Sequence, residues 1–380
     1  MSQKNQIRIG IDARFFGPRQ KGLGRYVQKL VEGLEQIDKY NQYIIFLRKD
    51  NWDKFQPKNP NFKKVLADYR WYSLKEQIFL PFRIWQQKID LMHFPHFNFP
   101  VLYFGPFIVT IHDLVLKKFP TRRASSLGPF RYFIKNLAYQ AVIRLAVKRA
   151  KKIIAVSNYT KQDILRHFNI RPDKIKVIYE GGPNLKLSKT KIQDTNRLNI
   201  TKPYLLYVGN AYPHKNLERL IIAFSKLAGD KKYCDLQLVL VGEMDYFYQR
   251  LKNLSYFSLA EMRQKIIFAG FVPDQDLGIL YHNALLYVFP SLCEGFGLPP
   301  LEAMTYGCPV VCSNTTCLPE ILGPAALYFD PENIDQIVLK IKQAIEDNHL
   351  REKLISQGFK RVKNYQWSKM AEQTLGIYKL

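Results

Sequence analysis

The 380-residue chain reads as an α/β protein built from two doubly wound parallel sheets. Three observations predict this. Short apolar runs recur along the chain, and several are apolar throughout, as strands buried on both faces of a parallel sheet require. Helical patterns separate the runs. The whole rhythm occurs twice, on either side of a polar stretch at 183–202.

In the first half the expected strands are 7–12, 43–47, 62–66, 90–94, 107–111, 152–156 and 176–179. Between them, 25–37 and 130–151 carry the most evident helical patterns. The stretch 183–202, rich in Lys, Ser, Thr and Asn, is the linker. In the second half the strands are 204–208, 236–241, 266–269, 285–289, 309–312 and 326–329, with helices at 217–228 and 298–306 among them. The expected domains are therefore 1–182 and 203–367. A final helical segment, 368–380, is a candidate to pack back on the N-terminal domain.

Composition narrows the function. Hydrophobic residues make up 47%, enough for real cores, so wholesale disorder is excluded. The longest apolar candidate for a span, 99–111, is interrupted by Pro100, Gly105 and Pro106, so a membrane-crossing helix is not expected. The first ten residues lack the apolar core of a signal peptide. The five cysteines form no CxxC pair and read as reduced thiols. The net charge of +25 is uneven. Residues 1–200 hold 38 Lys and Arg against 14 Asp and Glu, a net of +24, and residues 201–380 hold 19 against 18. The two halves are expected to meet different partners.

Ligands of open α/β sheets bind beyond the carboxyl ends of the strands. Strand 7–12 leads to Gly22-Leu23-Gly24 before a helix, a turn whose backbone N–H groups can approach a phosphate. It is not the dinucleotide fingerprint, and a plain turn is the alternative. Strand 107–111 ends at His112, a crevice candidate or a structural histidine. His93 and His96 end another strand without metal-ligand spacing, and no metal site is expected. Strand 204–208 ends at Gly209-Asn210, and Lys215 follows at the head of a helix, where a cation and helix N–H donors suit a diphosphate. Strand 285–289 ends in PSLCEGFGLPPLEAM. There Glu294 sits in the loop, Phe296, Gly297 and Leu298 offer N–H groups to an anion, and Glu302 lies about one turn inside the following helix. Two carboxylates beside an anion cradle suit sugar hydroxyls better than phosphate itself.

The motif Glu294-x7-Glu302 resembles the signature of retaining family 4 glycosyltransferases. The segments IGIDAR with GLGRY, VTIHDL, YVGNAYPHKNLERLI, FAGFVPDQDLGILYHNALLYVFPS and CPVVCSNTTCLPEILGPAALYFDP extend the resemblance over most of the chain. It is most similar to bacterial mannosyltransferase-type enzymes of polysaccharide assembly. The resemblance implies the GT-B fold, two Rossmann-like domains facing a central cleft. It implies transfer of a hexose, mannose first, from a nucleotide sugar, GDP-mannose first, to a glycan or lipid-linked glycan, with retention and with neither cofactor nor required metal. Gly22 and Gly24 would approach the donor's phosphates, and His112 the transferred sugar. Lys215 would bind the diphosphate, Glu294 the sugar hydroxyls, and Glu302 the ribose. Gly209 and Asn210 would line the donor site, together with the backbone of Phe296, Gly297 and Leu298. His112, Glu294 and Lys215 are the catalytic candidates. Many relatives carry an Arg near position 210; here Asn210 leaves Lys215 as the clearest cation, with Arg14 and Arg25 as possible substitutes.

The basic half can be a solvated face, a nucleic-acid surface or an anionic membrane surface. No nucleic-acid-binding signature occurs, so nucleic acid is not expected as a partner. In helix 130–151 a stripe of Phe130, Phe133, Ile134, Leu137, Ala141 and Leu145 is expected to face the core, with all charges positive on the outside. The expectation is a cytoplasmic enzyme, peripheral on the inner face of the cell membrane. A nucleotide-sugar epimerase or phosphorylase of the same fold is the alternative within enzymes, and a nucleic-acid-binding protein the alternative outside them.

Overall fold

The structure is a computed structural model that describes residues 6–17, 20–119, 129–182, 200, 203–253 and 260–379. The chain divides into two compact units. The first comprises Met1–Lys117, Gly128–Gly181 and Trp367–Leu380, and the second Lys118–Leu127 and Gly182–Gln366. Of the expected linker only Ile200 is among the described residues.

The first unit holds β1 (Arg8–Asp12), α1 (Lys21–Ile37), β2 (Gln42–Leu47), β3 (Phe62–Leu66), α2 (Leu74–Trp85), β4 (Leu91–Phe94), β5 (Phe107–Ile111), α3 (Val115–Lys118), α4 (Pro129–Arg149), β6 (Lys152–Ala155), α5 (Asn158–His167) and β7 (Ile175–Val177). The strands form one parallel sheet ordered β3-β2-β1-β4-β5-β6-β7. The second unit holds β8 (Tyr204–Val208), α6 (Leu217–Ala228), β9 (Gln237–Val241), α7 (Tyr246–Lys252), α8 (Ala260–Lys265), β10 (Ile266–Gly270), α9 (Asp274–Asn283), β11 (Leu286–Phe289), α10 (Leu298–Thr305), β12 (Val310–Ser313), α11 (Leu318–Leu322), β13 (Ala326–Phe329), α12 (Ile334–Glu346) and α13 (Asn348–Val362). Its parallel sheet runs β10-β9-β8-β11-β12-β13. Both sheets are doubly wound, as the apolar runs predict. Strands such as FIVTI at β5 and LYVF at β11 are buried at every position.

One face of the first sheet is covered by α2, α4 and α5. Leu80 and Ile84 of α2, Ile143, Ala146 and Val147 of α4, and Ile164 of α5 join one core with Met92, Phe94, Phe107 and Val109. On α1, Tyr26, Val27, Leu30, Val31 and Leu34 are buried at helical spacing. The chain returns to this unit in α14 (Trp367–Tyr378), which packs along α1. The approach is close: a Cβ added at Gly33 would lie 2.6 Å from the Ala371 Cβ. A buried polar chain fastens α14. Tyr378 Oη lies 2.6 Å from His93 Nδ1, His93 Nε2 lies 2.9 Å from Thr110 Oγ1, and Thr110 Oγ1 lies 3.1 Å from Tyr26 Oη. Hydroxyls on both sides let a neutral imidazole be donor once and acceptor once.

Two local expectations are corrected. Helix α1 starts at Lys21, not 25, so Gly22 and Gly24 belong to its first turn rather than to a loop before it. Helix α6 begins at Leu217 as expected, and Lys215 closes a single 3-10 turn just before it. On α4, Phe133, Ile134, Leu137 and Leu145 are exposed rather than core-facing. Its buried core residues are Ile143, Ala146 and Val147, with Tyr139 and Val142 packed beside them.

Candidate active site

In the second sheet the strand order reverses between β8 and β11. Loops leaving the carboxyl ends of these neighbours diverge, and the crevice between them is where α/β sheets bind ligands. Gly209 and Asn210 leave β8 there. Three phenols pin that backbone. Tyr248 Oη donates to the Gly209 carbonyl (2.9 Å), Tyr207 Oη to the Asn210 carbonyl (2.8 Å) and Tyr287 Oη to the Val208 carbonyl (3.2 Å). Burial raises the pKa of all three, so they remain donors. The neighbouring loop passes close by: a Cβ on Gly242 would sit 2.2 Å from the Gly209 oxygen.

Asn216, at φ +61°, turns the chain from the 3-10 turn into α6. Asn tolerates this left-handed conformation better than most residues. Its Nδ2 donates to the carbonyls of Pro290 (3.1 Å) and Pro331 (2.8 Å), and Leu292 N donates to the His214 carbonyl (2.8 Å). These bonds join the β8 and β11 loops and bring Lys215 Nζ to 2.6 Å from Glu294 Oε1. The two side chains are 14% and 13% exposed. Adjacent His214 is held down at about 4, first by burial and then by Lys215, and is neutral at physiological pH.

Helix α10 starts at Gly297 (φ +93°) without a side-chain cap. A helix start leaves four N–H groups without an intrahelical partner. Pro299 and Pro300 remove two of them, leaving those of Gly297 and Leu298. The Phe296 ring is buried edge-on against Tyr365, so this residue offers a ligand only its backbone. Glu302 is buried, and Tyr281 Oη donates to its Oε2 (3.3 Å). The sequence's Asp-x-Asp triplet, Asp274–Asp276, forms the first turn of α9, where carboxylates complement the helix dipole.

In the first unit the order reverses between β1 and β4. His112 follows β5, next to this point. Its Nδ1 donates to Glu180 Oε1 (2.8 Å) and its Nε2 to the Pro95 carbonyl (2.9 Å). Both ring nitrogens meet acceptors, an arrangement that favours the imidazolium form. Burial alone would lower the His112 pKa, but Glu180 and the Pro95 carbonyl raise it overall. Gly24 is buried where the chain crosses itself: a Cβ there would lie 2.1 Å from the Gly17 oxygen. Gly22 is exposed. Arg14 is fully buried, bonded to both oxygens of Asp12 (2.7 and 2.8 Å) and to Glu76 (2.6 Å), and is therefore not a spare cation for a ligand.

Within the second unit the structure thus gathers Gly209, Asn210, Lys215, Glu294, Gly297 and Leu298 at one switch point, with Glu302 buried behind it. Gly22, Gly24 and His112 belong to the first unit. Sequence reasoning missed Glu180. The signal existed, since Glu180 follows an expected strand, but nothing local shows that it meets His112, 68 residues away. It also missed the three tyrosines, which look like ordinary strand and helix aromatics until packed.

Two open parallel sheets, each with polar groups beside its switch point, are the architecture of GT-B type enzymes. The glycosyltransferase family 4 model matches residues 20–181, and the model for glycosyl transferases group 1 matches residues 188–361. The chain is 30% identical over 380 residues to O-antigen chain mannosyltransferase B of Escherichia coli, covering 94% of this chain and 96% of that protein. It is 32% identical over 232 residues to the O-antigen chain mannosyltransferase RfbU of Salmonella typhimurium, covering 59% and 60%. In fold it is similar to sucrose-phosphate synthase from Thermosynechococcus elongatus (TM-score 0.75, 21% identity, 99% and 98% covered). It is also similar to WaaG, a glycosyltransferase involved in lipopolysaccharide biosynthesis (TM-score 0.72, 16% identity, 98% and 99% covered). The chain belongs to the family 4 glycosyltransferases, has the GT-B fold and is a glycosyltransferase. Neither the epimerase or phosphorylase reading nor the nucleic-acid reading is favoured. Among the described residues no helix is long and apolar enough to cross a membrane.

Proposed function

We propose that this enzyme transfers mannose from GDP-mannose to a glycan or lipid-linked glycan during polysaccharide assembly at an anionic membrane surface. The transfer retains anomeric configuration and uses no resident metal. The observation that carries the reading is the Lys215–Glu294 pair at the β8/β11 switch point. A diphosphate entering this crevice competes with the Glu294 carboxylate for Lys215. Once Lys215 turns to the phosphate, Glu294 is released to accept hydrogen bonds from the sugar's hydroxyls. The Gly297 and Leu298 N–H groups add donors to the same anion.

In the transfer step the bond from the anomeric carbon to the diphosphate oxygen breaks, and a bond to the acceptor oxygen forms on the same face. The acceptor's proton passes to the departing phosphate. Lys215 and the helix-start N–H groups stabilise the charge that develops there. Glu302 is assigned to the ribose, Gly209 and Asn210 to the donor's surroundings, His112 to the transferred sugar, and Gly22 and Gly24 to the donor's phosphates. Mannose is supported by the names of the relatives above, and the membrane by the +24 of residues 1–200.

The test is a thermal-shift and transfer panel of GDP-, UDP- and dTDP-sugars, with the product's anomeric configuration read by NMR. GDP-mannose is expected to raise the melting temperature most. A UDP-sugar that is transferred in its place sinks the mannose assignment, an inverted product sinks retention, and loss of activity with chelator sinks metal independence.

A further inference from the structure

Helix α2 carries an apolar stripe on the side away from the core. It buries Glu76, Leu80 and Ile84. At about 100° per residue, Leu74, Ile78, Phe82 and Trp85 gather on the opposite side. They are 82%, 56%, 57% and 73% exposed. The turn between β4 and β5 continues the surface with Phe104, which is 82% exposed. Together α2 and this turn line an open groove of about 680 Å³, floored by Ile84, Ile89 and Tyr103. The turn is fastened rather than loose: the Arg149 guanidinium of α4 donates to the carbonyls of Val101 and Tyr103 and lies 4.9 Å from the Phe104 ring centre. A stripe this apolar on a soluble face marks an interaction surface.

The charges beside it select the partner. Lys75 and Lys88 border the stripe, whereas Arg83 lies toward the core side and donates to the Leu66 carbonyl and to Gln86. The only carboxylate within α2, Glu76, is buried and bonded to Arg14. The flanking carboxylates are engaged elsewhere, Asp68 with Arg48 and the Lys49 N–H, and Asp90 with the Arg8 N–H. The face therefore presents aromatics and cations with no carboxylate of its own helix. Protein interfaces are depleted of Lys, whereas Trp and Phe beside Lys and Arg is the composition of surfaces that lie in a lipid headgroup region. Exposed Phe133, Ile134 and Leu137 of α4, whose core residues pack on the same sheet face as those of α2, extend the apolar character.

We infer that the outer side of α2 and the turn bearing Phe104 insert into an anionic bilayer. Phe82, Trp85 and Phe104 enter the boundary between headgroups and acyl chains, and Lys75 and Lys88 stay among the lipid phosphates. This rests on the membrane reading above and names the surface that makes the contact.

The experiment uses the full chain with phosphatidylcholine vesicles, with and without phosphatidylglycerol, and with brominated acyl chains. The wild type is expected to sediment with the anionic vesicles and to show fluorescence quenching that W85F, still bound, largely lacks. F82S/W85S is expected to lose on the order of tenfold in partitioning, since binding scales with buried apolar area. Both residues are exposed, so an unchanged melting temperature and circular dichroism spectrum accompany that loss. Binding with equal quenching in wild type and W85F, and with F82S/W85S bound as wild type, overturns the inserted surface while leaving the membrane reading intact. Absence of wild-type binding overturns both. Self-association abolished by F82S/W85S, without vesicle binding, gives the face to a second copy of the chain and also overturns the proposal.

Discussion

Lys215 Nζ sits 2.6 Å from Glu294 Oε1, across the point where the second sheet reverses its strand order. The proposed diphosphate cation and the proposed sugar-binding carboxylate are thus paired with each other. Removing Lys215 leaves a mostly buried carboxylate without its partner, and the reverse holds for Glu294→Ala. A double-mutant cycle on unfolding of the second unit is expected to give a coupling of about 1–3 kcal/mol, below the range of fully buried pairs because both groups retain some exposure. With saturating GDP the coupling should collapse, because Lys215 then serves the phosphate. Lys215→Ala should also slow transfer by about 10²–10³-fold. A coupling unaltered by GDP contradicts the exchange of partners.

Glu180 is expected to act through His112. In Glu180→Gln the imidazolium loses its carboxylate, and the His112 pKa falls. The sign is definite. A histidine with a raised pKa contributes stability fully below its unfolded value of about 6.5, and loses it as pH rises through the folded value. The variant should therefore lose stability mainly below neutral pH, and the alkaline limb of its pH–rate profile should move to lower pH. NMR titration of the His112 ring checks the shift directly. An unmoved ring titration removes Glu180 from this role.

Acid should weaken the first unit well before its carboxylates protonate. His93 and His96 are held at about 3, by burial first and then by the His112 charge. Between about pH 6.5 and pH 3 the unfolded chain binds protons at these rings that the folded chain refuses. Stability then falls with pH, by up to about 1.4 kcal/mol per pH unit for each ring. His112 adds no slope in that range if its folded value stays above it. Denaturant unfolding at pH 7 and pH 5 measures the effect, and equal midpoints would contradict it.

The two glycines of α1 should behave oppositely. Gly24→Ala places a methyl 2.1 Å from the Gly17 carbonyl oxygen, a backbone atom that cannot step aside, and a cost of about 3 kcal/mol is expected. Gly22 is exposed in the first turn, so Gly22→Ala should raise stability by about 0.5–1 kcal/mol. If Gly22 also approaches the donor's phosphates, the same substitution weakens nucleotide binding in calorimetry while the protein melts higher. Unchanged affinity would make Gly22 merely a helix residue.

The sequence by itself determined the two parallel sheets, because a strand buried on both faces must be apolar at nearly every position. It also marked the strand ends where Lys215, Glu294 and Glu302 lie, since glycines and prolines at fixed spacing constrain backbone locally. It did not reveal α2, whose apolar residues surround the helix and erase the 3.6-residue period, with Pro81 inside it. Tertiary structure alone decided which polar groups meet. Lys215 and Glu294 are 79 residues apart, His112 and Glu180 are 68 apart, and His93 and Tyr378 are 285 apart. Such pairings depend on strand order and on the path of α14, and neither leaves a local trace. The same holds for Arg14, which reads as an available cation until packing buries it between Asp12 and Glu76. Charge along the chain is local and legible; whether a charge is free or already spent on a neighbour is a property of the fold.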